Sequence, residues 1–108
     1  MNDLSRQKIF NLIGLAARAR KITTGEELAL SAIRNGSARL VILSEDASDN
    51  TAGKIRDKSA HYRIPMHAFG TRYELGHAIG KEARVVLAIT DSGFAKKLSS
   101  LLREQEEE

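Results

Sequence analysis

Two short apolar runs constrain this chain more than anything else in it. Leu40-Val41-Ile42-Leu43 and Val85-Val86-Leu87-Ala88-Ile89 carry no polar residue. A strand with one wet face alternates apolar and polar residues. A strand without alternation is buried on both faces, so its sheet needs a cover on each side. Short strands cannot cover themselves, and the cover must come from helices.

The rest of the sequence supplies those helices. Leu4 to Ala17 places Ile9, Leu12, Ile13 and Ala16 at helical spacing, and Ile22 opens a short extended piece. Gly25 to Asn35 reads as a second helix with Leu28, Ala29, Ala32 and Ile33 on one face, ended by Asn35-Gly36. Arg39 to Ser44 is the first buried strand. Ser48 to Ala60 is a polar helix, and Met66 to Phe69, after the break at Ile64-Pro65, is a further strand. Thr71 to Ile79 is a short helix closed by Gly80, and Arg84 to Thr90 is the second buried strand. Asp91 or Ser92 caps a last helix with Phe94, Leu98, Leu101 and Leu102 inward. The alternation predicts an α/β chain: one three-layer α/β/α sandwich domain over residues 1–102, with a small mixed four-stranded sheet. An acidic tail over 103–108 follows.

Charge narrows the partners. The chain is 108 residues long with net charge +3; residues 103–108 carry −3, so the body carries +6. A basic body suits a polyanion, although a soluble surface with a frayed tail has the same balance. Cysteine is absent, which excludes a disulfide framework and cysteine-built metal sites. No apolar run approaches the roughly 20 residues of a membrane span, and Met1 to Arg6 leads straight into a helical pattern without a secretory core. The expectation is a soluble, cytoplasmic protein without a membrane partner. His61, His67 and His77 match no zinc spacing, and no phosphate loop, dinucleotide fingerprint or nucleophile elbow occurs. Gly76 and Gly80 fit close packing and a helix C-cap. Five aromatic residues are too few for a sheet-borne base-stacking platform, and no Gly-x-x-Gly is present. A nucleic acid would have to be met by loops and helix ends.

Lys21-Ile22-Thr23-Thr24-Gly25-Glu26-Glu27-Leu28 offers such a helix end. Thr24 and Glu27 have capping-box spacing, which would account for both residues without any ligand. The other reading is recognition. A helix N-terminus attracts phosphate, and Gly25 lets a backbone come close. Glu26 and Glu27 would repel phosphate, yet a carboxylate accepts well from guanine N1–H and N2–H₂. Arg18, Arg20 and Lys21 would hold phosphates, or simply complement the preceding helix dipole. Phe69, at a strand end, fits a core position; Arg72 and Tyr73, opening a helix, fit an exposed stacking surface.

The pieces together resemble the L7Ae/L30e ribosomal-protein family. The resemblance rests on Lys21 to Glu27, Ala32 to Ile42, Glu45-Asp46-Ala47, Ile64-Pro65 and Leu75 to Gly80, within residues 4–102. It is greatest to a bacterial branch with Gly-Glu-Glu-Leu and Arg-Tyr-x-Leu-Gly-His-Ala-Ile-Gly-Lys. The resemblance implies a sandwich that binds kink-turns, sharply bent RNA with tandem sheared G·A pairs. It implies a guanine-facing site matching Thr24, Gly25, Glu26, Glu27, Leu28 and Ser31. It also implies a loop matching Phe69, Gly70, Thr71, Arg72 and Tyr73 around an extruded nucleotide. The family's usual Asn-Glu pair aligns with Glu27-Leu28 and a helix lysine with Ser31, so one carboxylate is kept while an amide and a charge are not.

The expected function is non-catalytic RNA binding, ribosome- or translation-associated, by a monomer without cofactor or metal. The RNA would be ribosomal, another non-coding RNA or a leader, with ribosomal proteins as further partners. Glu26 or Glu27 would read the base. A protein-docking module of the same fold, with RNA specificity weakened, is the alternative. An enzyme built on Glu26/Glu27 or Glu45/Asp46 lacks partner groups for the carboxylates.

Overall fold

Alternate side chains of the two apolar strands point to opposite faces, and both faces are covered. A computed structural model describes residues 3–107; Met1, Asn2 and Glu108 lie outside it, and with them the start of the Met1–Arg6 stretch read above and the last residue of the acidic tail. The elements are α1 (Asp3–Arg18), β1 (Ile22–Thr24), α2 (Glu26–Arg34), β2 (Leu40–Leu43), α3 (Asp49–His61), β3 (Met66–Ala68), α4 (Arg72–Ala78), β4 (Val86–Ile89) and α5 (Ser92–Glu106). The sheet has the order β1-β4-β2-β3; β4 runs antiparallel to both neighbours, and β2 and β3 are parallel.

Leu40 and Ile42 of β2 and Leu87 and Ile89 of β4 face one core, with Ile9, Ile13, Leu75, Leu98 and Leu102 from α1, α4 and α5. Val41, Leu43, Val86 and Ala88 face a second core with Ala29, Ile33 and Ile55 from α2 and α3. This is the expected three-layer sandwich with a mixed four-stranded sheet. Helix α2 departs from expectation on one face. It buries Ala29, Leu30, Ala32 and Ile33, and leaves Leu28 63% exposed. Leu30 takes the inward place: around the helix it lies about 60° from the fully buried Ile33, whereas Leu28 lies about 140° from it.

Helix α5 passes the boundary expected after Leu102. It continues to Glu106, buries Gln105 and brings Glu106 Oε1 to 2.6 Å from His67 Nδ1 on β3. Gln105 and Glu106 thus touch the body of the molecule, while Arg103 and Glu104 are exposed.

The ends of α1 and α4 orient the surface. Arg20 N–H donates to Ala17 O and Lys21 N–H to Ala16 O, a Schellman closure with Arg20 at φ +61°. Glycine is usual there because a Cβ strains the left-handed conformation. Arg20→Gly should raise stability by about 0.5–1 kcal/mol in a thermal melt. If Arg20 meets a phosphate, the same variant should bind RNA less tightly and flatten its salt dependence by about one unit. Helix α4 starts in a complete capping box: Thr71 accepts from Glu74 N–H at 3.1 Å, and Glu74 accepts from Thr71 N–H at 2.9 Å. Arg6 adds an ion pair at 2.8 Å. The Thr71 backbone bond, then Arg6, hold the Glu74 carboxyl below its usual value near 4.5, against partial desolvation. A depressed carboxyl stabilises the fold above its ordinary value and ceases to as pH falls through its folded one. The stability gap between wild type and Glu74→Gln, read from urea midpoints, should therefore be present at pH 7 and close below about pH 4.

Candidate nucleic-acid interface

The strand directions gather four connections at one end of the sheet. β1, β2 and β3 end there and β4 begins there, because Thr24 pairs with Leu87, and Leu43 with both Val86 and Ala68. In sheet order, the end presents the Gly25 turn, the segment from Gly80 to Val85, the Ser44–Ser48 turn and the Phe69–Thr71 turn.

At the β1 edge, Gly25 is the N-cap of α2 and offers no side-chain cap. Its φ of +98° favours glycine, and no atom lies within 4 Å of where a Cβ would sit. The Thr24–Glu27 capping box that the spacing allows does not form. Thr24 instead donates its hydroxyl to Val86 O at 2.8 Å, across the β1–β4 pair. A residue still inside the strand ladder cannot turn back over the helix N-terminus. The first-turn N–H groups of α2 therefore remain open to an anion.

The two carboxylates behave differently. Glu26 accepts from Thr51 Oγ1 at 2.7 Å and pairs with Lys54 Nζ at 3.5 Å, both on α3. The Thr51 hydrogen bond, with Lys54 assisting against desolvation, lowers the Glu26 pKa below the usual carboxylate value. Glu27 is exposed and has no side-chain partner among the described residues. Ser31, also exposed, continues its face one turn along, and the exposed Leu28 adjoins it. Glu26 is thus an anchor between α2 and α3, and Glu27 is the open acceptor.

Arg18, Arg20 and Lys21 are exposed, but they sit at the other end of β1. Lys21 O accepts from Thr90 N–H beyond the C-terminus of β4. Four residues of extended chain separate Lys21 from Gly25 by about 13 Å. The bases flank the carboxylate along the sheet edge and do not surround it.

The Phe69–Tyr73 segment stands on the far strand, about 14 Å from the Gly25 turn at three strand spacings. Its expected apolar surface is mostly internal. Phe69 is 3% exposed, packed against Phe10 with ring centroids 5.0 Å apart and planes tilted by 41°, and Gly70 is buried. Thr71 is used in the α4 cap. Arg72 is held by Asp46, with its N–H on Oδ1 at 3.0 Å and Nη2 on the carbonyl at 2.7 Å. Tyr73, 64% exposed, is the aromatic left facing solvent here. Glu45 and Glu106 line a recess beside Phe69, which makes this corner acidic.

The segment from Gly80 to Val85 lies beside the Gly25 turn and was not singled out from sequence. Arg84 N–H donates to Arg72 O, Ser44 N–H to Val85 O, and a Cβ on Gly76 would lie 2.7 Å from Ala83 backbone. The segment is clamped against α4, where Lys81 N–H donates to Gly76 O, and leaves Lys81 and Glu82 exposed. Its signal in sequence was only Gly76, whose missing side chain admits it. Among the described residues, no group of three His, Cys, Asp or Glu is placed to hold a metal ion, and no helix is long and apolar enough to cross a membrane.

Comparison with known proteins extends the geometry. The sequence model of the ribosomal protein L7Ae/L30e/S12e/Gadd45 family matches residues 7–99. The RNA-binding protein YlxQ of Bacillus subtilis is 54% identical over 99 residues, covering 92% of this chain and 99% of that protein. The large ribosomal subunit protein eL30 of Tetrahymena thermophila is 34% identical over 95 residues, covering 86% and 91%. A solved structure of a Bacillus halodurans protein of unknown function superposes with TM-score 0.87 at 49% identity, covering 89% and 97%. The Giardia lamblia 15.5kD RNA binding protein has the same fold, with TM-score 0.81 at 21% identity and 99% and 92% covered.

Proposed function

Since the chain belongs to the L7Ae/L30e/S12e/Gadd45 ribosomal-protein family, we propose that it is a non-catalytic, cytoplasmic RNA-binding protein that recognises kink-turn-like RNA in ribosomal or other translation-linked complexes. The observation that carries this reading is the unpaired Glu27 carboxylate on an uncapped helix N-terminus beside Gly25. Glu27 accepts from the N1–H and N2–H₂ of a guanine in the sheared pairs. The open N–H groups of α2 take the adjoining phosphate, and Gly25 leaves room for the approach. Leu28 and the clamped Gly80–Val85 segment bound the site on either side. Arg18, Arg20 and Lys21 meet phosphates further along β1, adding affinity without sequence preference. Glu26 contributes by holding α2 against α3.

A gel-shift titration tests this with a kink-turn RNA and the same RNA whose G·A pairs are converted to Watson–Crick pairs. The kink-turn form should bind at least tenfold tighter, given about 1–3 kcal/mol for one well-placed base contact. Equal affinities would sink kink-turn recognition. The acidic corner at Glu45, Asp46 and Glu106 favours a second reading, docking of a basic protein partner in a ribonucleoprotein complex. A steep salt slope without discrimination between the two RNAs would leave only a non-specific RNA binder, and no binding of either RNA would leave the docking reading standing.

A further inference from the structure

A second recess of the described molecule lies away from the Gly25 turn. It is an open groove of about 620 Å³ between α1 and α4, walled by Gln7, Asn11, Leu15 and Arg18 on one side and His77 and Ile79 on the other. That volume is in the range of small-ligand sites, roughly 300–1,000 Å³. Three features limit what fits it. None of its lining residues is a carboxylate, although the chain carries 14 acidic residues. Gln7 Nε2 donates to Asn11 Oδ1 at 3.0 Å, which leaves the Gln7 carbonyl and the Asn11 amide hydrogens facing outward without another partner among the described residues. Leu15, half exposed, and partly buried Phe10 and Ile79 supply flat apolar surface beside these amides.

Cationic, amide and apolar groups in one narrow groove match the phosphate, edge and face of an unpaired nucleotide. The groove also joins the basic cluster. Arg18 lines it and is followed two residues on by Arg20, exposed and with its backbone in the left-handed conformation just past the end of α1. Gly80, at its other wall, opens the segment that runs to the Gly25 turn. Gln7 to Arg18 spans about 16 Å of helix, room for a few nucleotides in single file.

We propose that this groove binds a short single-stranded segment flanking the structured RNA element, a proposal that rests on the RNA-binding reading above. The phosphates lie along Arg18 and His77, the Gln7 and Asn11 amides meet base edges, and a base face rests on Leu15. The test compares a blunt kink-turn RNA with the same RNA carrying a short single-stranded extension on either end. Wild type should gain about five- to tenfold in affinity from the extension at one end. Asn11→Glu, an exposed helix position, should abolish that gain, and Leu15→Ala should reduce it. The readout is the ratio of extended to blunt RNA within each variant, so any general weakening from the added charge cancels. Blunt and extended RNAs bound equally by wild type, or a gain that survives Asn11→Glu, would overturn the proposal. Failure to discriminate the Watson–Crick RNA sinks the kink-turn reading alone; the ratio still decides the groove.

Discussion

Glu27→Ala should abolish discrimination between kink-turn RNA and its Watson–Crick counterpart while leaving the melting temperature nearly unchanged. The two halves of this result have separate causes. Glu27 makes no cap and no ion pair, so its removal costs the fold little, within about 0.5 kcal/mol for such a surface position. A carboxylate that accepts from a guanine edge is worth about 1–3 kcal/mol of selectivity, or roughly ten- to a hundredfold in affinity ratio. Glu26→Ala should give the reverse pattern. It severs the Thr51 and Lys54 contacts and should lower the melting temperature, with discrimination affected only through the tilt of α2. Thermal melts and paired gel-shift titrations of both variants settle the assignment. Retained discrimination in Glu27→Ala would remove this residue from the site.

Leu87→Ala should be the most damaging single truncation for the fold. Leu87 is fully buried on β4, which is hydrogen-bonded on both edges, and it packs in the core shared by α1, α4 and α5. Removing its branched end leaves a cavity that neighbouring strands cannot close, at a cost of about 2–5 kcal/mol. That is a large part of the roughly 5–15 kcal/mol available to a domain. Leu28→Ala is the matched control. With Leu28 mostly exposed, the change should cost no more than about 0.5 kcal/mol. Urea denaturation of both variants at one temperature makes the comparison. A Leu28→Ala loss similar to that of Leu87→Ala would mean that α2 buries the other face.

These predictions separate what was legible in sequence from what was not. The unbroken runs at Leu40–Leu43 and Val86–Ile89 marked buried strands, since only burial on both faces tolerates them. Helical spacing placed Ile9, Leu12, Ile13 and Ala16 inward correctly. The rotation of α2 was misread because Leu28 and Leu30 both fit an apolar stripe, and only the position of the sheet chooses between them. Spacing left the Thr24–Glu27 box open beside recognition, because it shows which bonds are possible and not which competing acceptor is nearer.

Local periodicity and backbone chemistry are enough to set the layers, the elements and the two acids at a helix start. Tertiary structure alone decided their roles. Thr24 is claimed by Val86, 62 positions away, and Glu26 by Thr51, 25 positions away. The Gly80–Val85 segment reaches the same sheet end only because β4 runs antiparallel to β1. Hydrogen bonds between residues distant in the chain form only after the layers pack. Packing, rather than residue type, therefore left Glu27 as the free carboxylate.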